Sequence, residues 1–236
     1  MRKSLQLSLT ATFAALHVLL YLVPPGLWRN WAVYIEPVEG IILGPYFGFF
    51  SAFLGSSVAR AVKPDPFWLF GVIAEPVGVL AAGFLARAKW KPVVIAYVAM
   101  LSAYLVHPYG RALPLWAILD VLLALVLTYP AARFSKNLFK NDVRRLPATL
   151  ALISFVCIAT DSLVRIFLLV PCGLYGLSFE SFQALYVVFV GSAIDSYVED
   201  VIVVLVSLLV GTPTIVTLSR AGFLRQSSDK QEEGNS

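Results

Sequence analysis

The sequence predicts an all-α polytopic membrane protein on three observations. Of its 236 residues, 59% are hydrophobic and only 14% are charged, and apolar runs recur along nearly the whole chain. Soluble domains carry about 25% charged residues, and a helix needs about 20 apolar residues to cross a bilayer. Mean hydropathy is +0.81. The length suits roughly six to eight crossings. It predicts one transmembrane helical domain over residues 1–224 and a polar, disordered cytoplasmic tail over 225–236, which holds QSSDKQEEGNS. The net charge of +4 comes in short basic clusters between apolar runs, where it sets topology and gives no reason to expect nucleic acid as a partner.

The first run, residues 5–23, lies in MRKSLQLSLTATFAALHVLLYLVPPG. This stretch starts like a secretory signal but has no small-x-small cleavage site before the prolines, so it is read as the first span. Residues 31–62 would make a helix of about 48 Å. Gly44-Pro45 interrupts them, because proline disfavours helix in the residue before it and donates no backbone bond. Two short helices joined by a tight turn are expected, with Gly48 letting the second pack closely. Residues 67–86, 92–106, 113–134 and 148–170 each read as a span. The last run, 182–218, would reach about 55 Å and contains Asp195, Glu199 and Asp200. It predicts a lateral or amphipathic segment before a true final span near 201–218, with a kinked long helix as the alternative.

Charge tests this count. If the amino terminus is inside and residues 31–62 cross twice, Arg2/Lys3, Arg87/Lys89/Lys91, Arg133/Lys136/Lys140/Arg144/Arg145 and Arg220/Arg225 share one side. The opposite loops, with Arg29, Arg60/Lys63 and Arg111, are poorer in positive charge. Both termini are therefore expected in the cytoplasm of a multi-pass plasma-membrane protein, with up to eight crossings, several of them short.

Ionisable groups inside a membrane are costly and usually face a cavity or a partner. The candidates are Glu36, Glu39, Glu75, Asp120, Asp161, Arg165, Asp195, Glu199 and Asp200. The tripeptide Glu-Pro-Val occurs twice, at 36–38 and 75–77. Glu75 lies well inside a span with no basic residue within a turn, and Pro76 frees a backbone carbonyl beside it, which makes Glu75 the leading ligand or ion contact. Glu36 and Glu39 share one face of a short helix and also complement its dipole. Asp161 and Arg165 stand four apart and are expected to pair. Asp195 to Asp200 suit the wet face of an interfacial segment. His107, Tyr104, Tyr109, Arg111 and Asp120 suggest an aromatic pocket on the outer side, although aromatic residues at membrane interfaces need no ligand to explain them.

His17 and His107 have no second ligand at metal spacing in sequence, and Cys157 and Cys172 read as packing residues, so no metal is expected. There is no HExxH, no GxSxG and no GxxxxGK[ST] phosphate loop. The expectation is a protein that is not an enzyme, carries no cofactor and does not itself hydrolyse ATP by the usual route.

Several of these stretches together look familiar. An AxxxA pair in the first span (Ala11, Ala15), then PPGLWRNWAVYIEP, IILGPYFGFFSAFLGSSVARAV and FGVIAEPVGVLAAGFLARAKW, resemble the substrate-binding S components of energy-coupling factor (ECF) vitamin transporters over roughly residues 8–90. The resemblance implies a six-helix core, here with one or two additional membrane segments among seven to eight apolar runs. It implies capture of a small micronutrient from outside, with a transmembrane coupling subunit and two ATPase subunits as partners beside the membrane lipid. Ala11 and Ala15 match the coupling-subunit contact, and Trp31, Tyr34 and the helix around Glu75 match substrate-contact regions. Glu36, Glu39, Asp120 and His107 complete the candidate set from the residue reading. The excess of acidic intramembrane groups points to a cationic or donor-rich ligand. The rival expectation is a self-sufficient ion-coupled transporter or channel, in which Glu36, Glu39 and Glu75 on proline-broken helices hold Na⁺ or H⁺.

Overall fold

A bilayer offers the backbone no water, so a spanning chain satisfies its peptide groups within helices. The computed structural model describes residues 3–24, 30–138 and 145–223, and these contain no strand. The tail at 225–236 and the loop residues Arg29, Lys140 and Arg144 lie outside the described residues. The helices are α1 (Lys3–Leu22), α2 (Glu36–Leu43), α3 (Pro45–Val62), α4 (Trp68–Leu85), α5 (Lys91–Val106) and α6 (Pro108–Ala112). They continue with α7 (Leu119–Phe134), α8 (Leu146–Leu169), α9 (Tyr175–Ser178), α10 (Phe182–Val206) and α11 (Thr212–Arg220). Ser4–Leu22, Trp68–Leu85, Leu115–Phe134, Leu146–Leu169 and Phe182–Arg220 are each long and apolar enough to cross a membrane. The protein is an all-α, polytopic, membrane-spanning chain.

Neighbouring helices run end to end. At one end, Gln6 Nε2 donates to the Leu43 carbonyl at 3.4 Å, Arg87 reaches the Gly83 carbonyl at 3.1 Å, and the Trp90 and Tyr129 rings meet at 5.6 Å. At the other end, the Tyr21 hydroxyl donates to the Lys63 carbonyl at 3.0 Å, and Tyr109 meets Tyr175 at 5.0 Å. Helix direction therefore gathers Arg87, Lys89, Lys91, Arg133, Lys136, Arg145 and Arg220 at the first end. Lys63 and Arg111 belong to the second. Burial beside this turn also pushes the Arg87 pKa below its usual value.

The break at Gly44-Pro45 is present. Gly44 has φ of 86°, a left-handed value that favours glycine, and a Cβ there would lie 2.2 Å from Arg87 Nη2. α2 is only about 12 Å long, and all eight of its residues are buried. A 3₁₀ turn, Trp31–Ile35, precedes it. This short segment sits at membrane depth only because protein surrounds it on all sides. Small residues allow the enclosure: a Cβ on Gly40 would fall 2.4 Å from the Val79 carbonyl oxygen, and one on Gly48 would fall 2.8 Å from Val79 Cγ1. α8 forms the centre, packing against α4, α7, α10, α5 and α2. α1 lies at the edge, held to α3 where Ser51 donates to the Thr10 carbonyl at 2.9 Å and where Gly55 admits His17.

The last run corrects one expectation. There is no lateral segment around 195–200: α10 continues unbroken through Asp195 and ends in a π-helical turn, Ser207–Gly211, before α11. This is the kinked long helix of the alternative reading. Pro213 has no N–H for the carbonyl four residues earlier, and a wider turn accommodates that loss. Glu199 and Asp200 are buried within the bundle and belong to no interfacial segment.

Candidate functional site

Glu75 is fully buried and is the hub of an ion network drawn from four helices. Its Oε1 accepts from Asn30 Nδ2 at 3.0 Å, Arg60 Nη2 at 2.5 Å and Arg165 Nη2 at 3.4 Å. Its Oε2 accepts from Ser56 Oγ at 2.7 Å and Arg60 Nη1 at 3.0 Å, and lies 3.1 Å from His17 Nε2. Arg60 also bonds the Ser56 hydroxyl, approaches Asp65 Oδ2 to 3.3 Å and lies 5.0 Å over the Tyr21 ring. Arg165 donates to Asp161 Oδ2 at 2.8 Å, which is the pairing their spacing predicts. A carboxylate with this many charged and neutral donors is a structural anchor for α1, α3, α4 and α8.

Glu36 and Glu39 contrast with it. Both are buried, and none of their four carboxylate oxygens has a hydrogen-bond partner among the described residues. Glu39 Oε2 stands 3.7 Å from His17 Nδ1. One ligand atom each from His17, Glu36 and Glu75 lies within 4.8 Å of the others.

A separate cavity of about 680 Å³ opens beyond this network. Its lining is of mixed charge, with Arg60, Lys63 and Arg165 beside Asp65, Asp120, Asp195 and Glu199, and Phe67, Phe70, Phe179 and Phe189 supply apolar surface. Ser162, Ser192 and Ser196 also line it. Ser196 donates to Asp120 Oδ2 at 3.1 Å and meets Ser162 at 3.2 Å, so Asp120 is fixed by hydroxyls from α8 and α10. The cavity lies toward the Tyr21–Asp65 end of the bundle.

Of the residues singled out in sequence as substrate contacts, Asp120 lines the cavity. Glu75 lies behind Arg60 and Arg165. Glu36 and Glu39 sit deeper, while Trp31 and Tyr34 pack with Val33, Ile158 and Val203. His107 caps α6, its Nδ1 accepting from the Tyr109 amide at 3.2 Å, within a ring cluster of Tyr109 and Tyr175. Tyr104 stacks on Phe189, the residue linking that aromatic region to the cavity. Ala11 and Ala15 are exposed on α1. His17, Arg60 and Asn30 were not legible as site residues: His17 has no sequence neighbour of its kind, and Arg60 reads as a loop charge. The available signal was helical spacing, since Ser56 and Arg60 stand four apart on the α3 face that Gly55 also occupies.

The fold and site define a membrane-spanning helical protein with a buried ion network behind an open, mixed-charge cavity. No family model matches the chain, and no solved structure matches it. It is similar to an uncharacterized protein of Methanocaldococcus jannaschii, 28% identical over 131 residues. That match covers 55% of this chain and 44% of the relative, so it spans less than half the relative's length.

Proposed function

We propose that the chain is the substrate-capturing membrane subunit of an ECF-type importer. It takes a small vitamin-like molecule into the cavity from the outer side and relies on a separate coupling subunit and two ATPase subunits. The cavity carries this reading: about 680 Å³ falls within the range of about 300–1,000 Å³ common for small-molecule sites. It opens toward the end with fewer basic residues, which positive-inside reasoning makes the outer end, with both termini cytoplasmic. Asp120, Asp195 and Glu199 suit amine or other donor groups, and Phe70 and Phe189 suit a ring. The exposed Ala11 and Ala15 on a peripheral α1 support close approach by another helix.

Mass spectrometry of small molecules copurifying with the protein tests this. A ring-containing molecule should be retained by the native chain and lost at least tenfold from Asp120→Asn and Phe189→Ala. Equal retention by both variants removes the site. Bulky replacement of Ala11 and Ala15 should abolish cellular uptake while leaving ligand binding intact. The orphaned carboxylates on the broken α2 favour the ion-coupled reading instead, and uptake by the isolated chain in liposomes without ATP would establish it.

A further inference from the structure

Buried polar atoms without hydrogen-bond partners among the described residues lie beside Glu75. His17 Nε2 lies 3.1 Å from Glu75 Oε2. With the proton on Nε2 and the ring neutral, this bond fixes the tautomer and leaves the Nδ1 lone pair facing the other way. Nδ1 has no hydrogen-bond partner among the described residues. It faces Glu39 Oε2 across 3.7 Å, longer than a hydrogen bond. Two ligands about 2.1 Å from a tetrahedral metal stand about 3.4 Å apart. Glu36, three residues from Glu39 and therefore on the same face of α2, has both oxygens unpartnered at 1% exposure. One of its oxygens, one His17 nitrogen and one Glu75 oxygen lie within 4.8 Å of one another, and Glu39 joins this group through its approach to His17 Nδ1.

Charge agrees with geometry. Among the described residues, Glu36, Glu39, Glu75 and Asp161 stand beside Arg60 and Arg165, with Asp65 also 3.3 Å from Arg60, so carboxylates outnumber guanidinium groups. One dication offsets part of that excess in a single step. The donor set of imidazole and carboxylates suits a first-row transition metal better than Na⁺ or K⁺.

We propose that His17 Nδ1, Glu36 and Glu39 form an intramembrane site for a transition-metal dication of the Zn²⁺ class. Glu75 orients the imidazole from its far side, as carboxylates commonly do for metal-bound histidine. The ion ties the peripheral α1 to the buried α2, and this holds whether or not the cavity binds a transported molecule.

The test uses the full chain, purified in detergent, stripped with a membrane-permeant chelator and reloaded with Zn²⁺ or Co²⁺ alone. The expected result is one metal per chain retained through gel filtration, a higher thermal midpoint on loading, and Co²⁺ absorption bands of a low-coordinate nitrogen–oxygen site. Glu36→Gln and Glu39→Gln should each lose the retained metal. Failure of the native chain to retain Zn²⁺ or Co²⁺ overturns the proposal without any variant having to fold. Retention undiminished in both variants overturns it as well. So does a thermal midpoint that ignores metal. Ligand loss from Asp120→Asn with no metal retained would leave the capture reading standing and remove this one.

Discussion

Glu36 and Glu75 open the same tripeptide, are both buried, and are each followed by proline, yet one has no hydrogen-bond partner among the described residues and the other has six contacts. The difference comes from what the neighbouring helices deliver. α3 and α8 aim Arg60 and Arg165 at Glu75, whereas α2 faces glycines and apolar side chains along α4 and α8. Identical local sequence thus gives one carboxylate a structural task and leaves the other without a hydrogen-bond partner among the described residues.

The sharpest way to break this contrast is Glu75→Ala. It takes the shared carboxylate from Arg60, Arg165 and His17, leaving Arg165 to Asp161 and Arg60 to Asp65, so stability should fall by about 3 kcal/mol, read by equilibrium unfolding in mixed micelles. A loss under about 1 kcal/mol would show that the network is not an anchor. Gly40→Leu comes next. It should cost about 1–3 kcal/mol by forcing α2 away from the Val79 carbonyl, and it should lower metal retention because Glu36 moves with the helix. Metal-free Glu36→Gln should change stability by at most about 1 kcal/mol, since no hydrogen bond is lost; a drop like that of Glu75→Ala would reveal a partner for Glu36. The smallest effect belongs to Ala11→Trp, which should stay within about 0.5 kcal/mol because the residue is exposed, while cellular uptake falls if the proposed coupling subunit docks there.

Much of the fold was legible because it rests on local chemistry. Apolar run lengths marked the spans, Gly44-Pro45 marked the turn, and the four-residue spacing of Asp161 and Arg165 marked their pair. The site was legible in its acids and not in their partners. Glu75 shows no basic residue within a turn, yet Arg60 stands 15 positions away and Arg165 stands 90 positions away. Which helix face meets which is a tertiary fact that hydropathy does not carry. For the same reason Asp195 to Asp200 looked like a solvated face: the run is too long for one crossing, but nothing local shows that Glu199 and Asp200 turn inward.

The π turn at Ser207–Gly211 has a rotational consequence. Val203, Ser207, Gly211 and Ile215 are all buried at steps of four. In a regular α-helix each such step overshoots by about 40°, so the last would point about 120° away from the first. One extra residue in the turn removes most of that drift and keeps the stripe in phase, with Gly211 against Val38 of α2. Deleting a single residue from 207–211 should therefore let a regular α-helix replace the wide turn with α11 still in phase, since eleven steps of about 100° come within about 20° of three full turns. A cysteine-accessibility scan would record an unshifted pattern, with Ile215 still facing protein, and a phase jump there would show that the turn does not absorb an extra residue.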